Sequence, residues 1–189
     1  MPNQKTYKVI YEPNVMVPMR DGTRLATDVF RPNAPGKFPV LVNRGPYGKD
    51  QYIANPDHST WFFPAHGYIV LSQDCRARFG SEGDYYNPVF QEAADGYDTV
   101  EWAATQEWSN GRVGTTGQSY LGATQYTLAT TNPLPPHLQT MAPFSASSDF
   151  HQSWVYHTGG AMEWGWTVPY AIHKGCLLYT SPSPRDATL

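Results

Sequence analysis

Cysteine, basic charge and long apolar runs are all scarce in this sequence, and each shortage removes a class of protein. Two cysteines, Cys75 and Cys176, make neither a disulfide framework nor a metal-ligand cluster. Thirteen Lys and Arg against sixteen Asp and Glu leave a formal net charge of −3. No positive field therefore exists to neutralise a phosphate backbone, and nucleic acid is not an expected partner. The opening MPNQKTYKVIYEPN carries no apolar stretch behind a basic region, and nothing approaches the roughly 20 apolar residues that span a bilayer. The default expectation is a reduced, cytoplasmic protein with no membrane partner.

What is present is enough apolar material, 40% of 189 residues, to bury a sizeable core. Val15, Val17 and Met19 alternate with polar residues, Asp21-Gly22 supplies a tight turn, and Leu25 to Phe30 resumes an extended pattern, which predicts a β-hairpin. Phe38 to Val42 is a short β-branched run suited to a strand buried on both faces. A short helix around Trp61 to His66, ended by Gly67, leads to a strand at Tyr68 to Leu71. Ala93, Tyr97, Val100 and Ala104 then recur at helical spacing, a turn at Ser109-Asn110-Gly111 follows, and Arg112 to Thr116 is a strand. Ala123 to Thr130 reads as helix and Leu138 to Ala142 as strand. Alternation of this kind implies an α/β fold: a mostly parallel sheet, opened by a hairpin, with helices on both faces.

The residues that carry chemistry are Gly117-Gln118-Ser119-Tyr120-Leu121-Gly122, set between a predicted strand and a predicted helix. A serine hydroxyl is a weak nucleophile, so hydrolases hold it on a sharp strand-to-helix turn that a base can reach and a helix N-terminus faces. Gly117 and Gly122 are small enough for strand and helix to approach, and backbone N–H groups at the helix start face a developing oxyanion. Position 121 is leucine, where the general GxSxG pattern has glycine. The ordinary alternative is a glycine-rich turn in a non-catalytic α/β binding module.

NGRVGTTGQSYLG resembles the GxSYxG elbow of the cocaine esterase-like and X-Pro dipeptidyl-peptidase-like serine hydrolases of the α/β-hydrolase fold. VPMRDGTRLATDVFRP, NRGPYGK, HGYIVLSQDCRARFGSEGDY and SASSDFHQSWVYHTGGA extend the resemblance from about Val15 to Gly160. It implies that Ser119 attacks the carbonyl carbon, that the backbone N–H of Tyr120 is one oxyanion donor, and that the Tyr47 hydroxyl is the other. It also implies a small-molecule ester or peptide-like substrate, no cofactor and no metal. Carboxylesterase, X-Pro dipeptidyl peptidase and α-amino-acid ester hydrolase remain open. Gln152-Ser153 before Trp154 offers no acidic residue for a substrate amine, which weighs against the last. Family members usually have glycine where Ala77 stands, so a positive φ there predicts local strain, and Arg76 reads as a structural ion-pair partner or carbonyl clamp rather than a substrate contact.

In this fold the acid and base follow the serine on later strand ends, beyond an inserted cap. The 56 residues from Ser119 to Gly175 are too few to hold them. Asp149, His151, His157 and His173 sit in what resembles the start of that cap, and His58, His66 and His137 in loops or helix ends. Phe150, Trp154, Tyr156, Trp164, Trp166 and Tyr170 suit either an acyl pocket or cap core. Glu82, Asp84, Glu92, Asp95 and Asp98 read as a solvated helix face. CLLYTSPSPRD from Cys176 resembles a translated transposase adapter used in sequencing libraries. The expected organisation is therefore 1–145 catalytic domain, 146–175 start of the cap and 176–189 a non-native tail, with the natural chain continuing past Gly175 and this fragment inactive.

Overall fold

A computed structural model describes residues 6–52, 59–157 and 159–180. Among them the strands are β1 (Val9–Pro18), β2 (Arg24–Pro32), β3 (Phe38–Gly45), β4 (Ile69–Asp74), β5 (Ser109–Gln118) and β6 (Leu138–Phe144). The helices are α1 (Ser59–Ala65), α2 (Glu92–Thr105), α3 (Tyr120–Leu128) and α4 (Trp164–Thr180). The strands form one open sheet in the order β1-β2-β4-β3-β5-β6. β1 and β2 pair antiparallel, as the hairpin signal predicts, β2 joins β4 antiparallel, and β4, β3, β5 and β6 run parallel.

Two boundaries differ from the sequence reading for local reasons. β1 begins at Val9, well before Val15, because a register shift between Glu12 and Val15, with Asn14 at φ 55°, breaks the alternation that would have revealed its first half. Ser109-Asn110-Gly111 belongs to β5, although it keeps turn chemistry. Ser109 Oγ accepts the Gly111 N–H at 3.1 Å, Asn110 Oδ1 accepts the Arg112 N–H at 3.0 Å, and the ladder to β3 shifts register there.

Adjacent residues of β2 show that both faces are covered, since side chains alternate along a strand. Phe30 meets Trp61 of α1 edge-on at 5.0 Å. Val29 joins a buried cluster with Val40, Val42 and Leu71 of the sheet, Val100 and Ala103 of α2, and Leu128 of α3. Each of the larger aliphatic side chains contributes roughly 1.5–3 kcal/mol when fully buried. No helix among the described residues is long and apolar enough to cross a membrane.

The acidic residues of α2 and the loop before it require a correction. Asp84 is exposed, and Glu82 and Asp98 form half-exposed pairs with Arg24 and Arg20. Glu92 and Asp95, by contrast, are buried in ion pairs with Arg44 and Arg76. The inward face of α2 is Glu92, Asp95, Gly96, Thr99, Val100, Ala103 and Ala104, which keeps Val100 and Ala104 of the expected apolar stripe and adds polar residues beside it. Buried carboxylates persist when paired, and the pairing arginines come from strand ends far away in sequence. α4 carries helical backbone as far as Thr180; His58 and residues 181–189 lie outside the described residues.

Candidate active site

Parallel strands place their carboxyl ends on one edge of a sheet, which is where α/β folds hold ligands. β3 and β5 are neighbours there: the loop after β3 carries Tyr47, and Ser119 follows β5 directly. Ser119 has φ 58° and ψ −123°, outside the helical and extended regions, and precedes the first residue of α3. Its N–H donates to the Phe144 carbonyl at 3.1 Å, and its own carbonyl accepts from Gly122 and Ala123 at 2.9 and 3.0 Å. The strained bend is thus held by β6 on one side and α3 on the other.

Close packing at the bend explains the flanking small residues. A Cβ on Gly117 would lie 2.4 Å from the Leu121 Cβ, and one on Gly122 would lie 2.6 Å from the Ala146 Cβ. Leucine at 121 is accommodated from elsewhere: a Cβ on Gly45 would stand 2.6 Å from Leu121 Cδ1, so the missing side chain at the end of β3 makes the room. Gln125, buried on α3, fastens the helix to two strands. Its Oε1 accepts from Thr115 Oγ1 at 2.9 Å and from the Ala142 N–H at 3.0 Å.

Ser119 and Tyr47 line one cavity of about 450 Å³ together with Asn43, Phe63, Gln118, Leu121 and Phe144. The Tyr47 and Tyr120 rings meet edge-on at 6.4 Å. The Tyr47 hydroxyl is 3.1 Å from that of Tyr170 on α4, and Trp154 lies 6.0 Å from the Tyr120 ring. Trp154 also contacts Phe150 and Trp166, and Trp166 stacks on Tyr170, so four of the six clustered aromatics form one run of contacts that reaches Tyr120 through Trp154 and Tyr47 through Tyr170, while Trp164 stays exposed.

The loop with Tyr47 is fixed just past that residue. The Lys49 N–H donates to Asp74 Oδ1 at 2.8 Å, and Lys49 Nζ pairs with buried Asp28 at 3.0 Å. Burial pushes the Asp74 carboxyl up to about 7, although the Lys49 and Gly80 amides and the Lys49 charge oppose the shift. Arg76 bonds Asp95, Asp21 and Thr23, and is the structural ion-pair partner its position suggests. The bond from Arg76, with the Thr23 amide, holds the Asp21 carboxyl down at about 2. Ala77 has φ 56°, the left-handed conformation expected of a site where glycine is usual.

The described histidines lie apart from this cavity. Asp149 Oδ1 accepts the amides of His151 and Gln152, His151 stacks on Tyr156, and His157 pairs with Glu163. His66 meets the Phe62 carbonyl, His137 pairs with Glu101, and His173 is exposed on α4. Among the described residues none of these lines the cavity, and no group of three or more His, Cys, Asp or Glu is arranged to hold a metal ion.

A profile of the X-Pro dipeptidyl-peptidase (S15 family) matches residues 21–188. The chain belongs to that family. It is 42% identical over 179 residues to cocaine esterase of Rhodococcus sp. (strain MB1 Bresler), covering 92% of this chain and 31% of that protein. A CocE/NonD family hydrolase from Staphylococcus aureus superposes with a TM-score of 0.82 at 34% identity, over 92% of this chain and 34% of its own. An α-amino acid ester hydrolase superposes at 0.65 with 30% identity, over 78% and 27% respectively. This S15-family chain thus spans about a third of the length of these relatives. The α/β fold read from the sequence is the fold of the S. aureus hydrolase.

Proposed function

We propose that Ser119 is the nucleophile of a hydrolase that cleaves ester or amide bonds through an acyl-serine intermediate. The observation that carries this reading is the bend at Ser119, with φ 58° and ψ −123° between β5 and α3, bordering a cavity of about 450 Å³. In the proposed reaction the Ser119 oxygen attacks the carbonyl carbon. The oxyanion then accepts from the Tyr120 N–H, the first of a helix whose initial donors lack intrahelical partners, and from the Tyr47 hydroxyl. Tyr170, 3.1 Å from that hydroxyl, is placed to hold its direction. Collapse expels the alcohol or amine, and water releases the acid.

The general base and its carboxylate partner are assigned to the portion of the relatives that this chain does not span, because His66, His137 and His157 engage other partners and no described histidine lines the cavity. The chain alone is accordingly expected to turn over little or no substrate. Among the described lining residues the polar groups are neutral, which supports an uncharged acyl group, ester or peptide-like, over the ammonium of an α-amino acid ester. No cofactor takes part in this scheme.

A fluorophosphonate probe on the full-length protein tests the proposal. Labelling that disappears in Ser119→Ala supports it; labelling that survives, or an unlabelled wild type that still hydrolyses esters, rejects it.

A further inference from the structure

The Tyr120 side chain does more than pack. Tyr120 is the first residue of α3, and Ser119 before it makes no side-chain capping bond, so the first helical turn lacks its usual fastening. The fastening comes instead through the Tyr120 phenol. Its hydroxyl donates to Glu92 Oε1 at 3.1 Å and accepts the Val89 N–H at 2.9 Å, so proton and lone pair are both held by α2 and the loop before it. The ring is only 3% exposed and is flanked by Tyr47, Tyr86 and Trp154.

Glu92 is itself held. Its other oxygen lies 3.1 Å from Arg44 Nη2, and Arg44 is oriented by Gln73 Oε1 at 2.7 Å and by the Glu92 carbonyl at 3.0 Å. The Cys75 thiol adds a 3.4 Å contact to the same carboxylate oxygen. Burial opposes the Arg44 charge, but the neighbouring carboxylates outweigh it, and burial beside Glu92 pushes the Tyr120 phenol far above its ordinary range, so that it remains a donor. A chain of contacts thus runs from the end of β3 through Arg44 and Glu92 to the residue whose N–H faces the proposed oxyanion.

With Ser119 as the nucleophile, the reading on which this role depends, we infer that Glu92 is a positioning residue: acting through the Tyr120 hydroxyl and held by Arg44, it sets the direction of the Tyr120 N–H toward the oxyanion. Apolar residues at 44 and 92 with phenylalanine at 120 would pack the same space without the buried Arg44–Glu92 pair. What the polar chain adds is a fixed direction for the helix start, and misplacements on the order of 1 Å are felt in rate.

The test compares wild type, Tyr120→Phe, Glu92→Gln and Ser119→Ala in the full-length protein. Hydrolysis of p-nitrophenyl acetate is measured alongside inhibition by phenylboronic acid, which mimics the tetrahedral intermediate. Positioning predicts that Tyr120→Phe lowers kcat about tenfold with KM within about twofold, and that boronate affinity falls in the same proportion. A structural role alone predicts a lower melting temperature with kcat and boronate affinity unchanged, and that result overturns the inference. Glu92→Gln is expected to lower kcat and boronate affinity in the same sense, and wild-type values there overturn the role of Glu92. Tyr120→Phe keeps the Arg44–Glu92 pair and removes the hydroxyl through which Glu92 acts, so wild-type values there overturn it even where Glu92→Gln does not fold. If Ser119→Ala retains hydrolysis, the nucleophile assignment fails; if Ser119→Ala is silent while Tyr120→Phe matches wild type, only the positioning role fails.

Discussion

Substituting Gly45 should damage this protein through a residue 76 positions away, and a second substitution should repair part of the damage. In Gly45→Ala the added methyl would sit 2.6 Å from Leu121 Cδ1 and 2.9 Å from Leu121 Cγ, well inside contact distance. Overpacking of that kind costs about 1–3 kcal/mol, or roughly 2–12 °C of melting temperature for a domain of this size. Leu121→Ala alone leaves a hole at a site 6% exposed and costs about 2–5 kcal/mol. The atoms removed by the second change are those the first collides with, so the double variant should recover about 1–2 kcal/mol relative to the sum. Urea denaturation followed by tryptophan fluorescence gives all four stabilities. Additivity within about 0.5 kcal/mol would refute the claim that the glycine ending β3 makes room for the leucine of the bend.

Three further expectations come from the geometry. Tyr47→Phe in the full-length protein should lower kcat by about 10²–10³ with little change in KM, the cost of removing one oxyanion donor; an unchanged kcat would remove Tyr47 from the mechanism. Asp74 has a folded pKa of about 7, above its unfolded value. The native state therefore binds the extra proton, and this contribution is complete below about pH 4 and lost as pH rises through about 7, by at most about 4 kcal/mol. Asp74→Asn should flatten stability across that window in urea titrations, and an unaltered slope would contradict the assignment. Ala77→Gly should raise the melting temperature by a few degrees, since glycine relieves φ 56° at a cost of added freedom in the unfolded chain; a lower value would show that packing of the methyl outweighs the strain.

Those parts of the fold whose signals are local are legible in the sequence. Alternation in β2, the apolar runs of β3 and β4, and the glycines around Ser119 each express themselves within a few residues, and they mark the elements and the bend. Strand order is not legible, because nothing in the run from β2 to β3 reveals that β4 will insert between them. Glu92 and Asp95 read as solvated because an acidic pair on an amphipathic helix normally is. Their partners, Arg44 at the end of β3 and Arg76 after β4, are brought to them only by tertiary structure. Leucine at 121 likewise makes sense only beside Gly45, and Gln125 gives no sign in sequence that it ties α3 to β5 and β6. One signal is available for α2: Gly96 in mid-helix, where a Cβ would stand 3.3 Å from Arg44 Nη1, marks something lying close against that face.

The most direct measurement is rapid quenching of the full-length protein with a p-nitrophenyl ester, followed by peptide mass mapping. An acyl-serine mechanism predicts a burst of one nitrophenolate per protein and an acyl adduct on the peptide containing Ser119, both absent in Ser119→Ala. Turnover without a burst, or an adduct on any other residue, would contradict it.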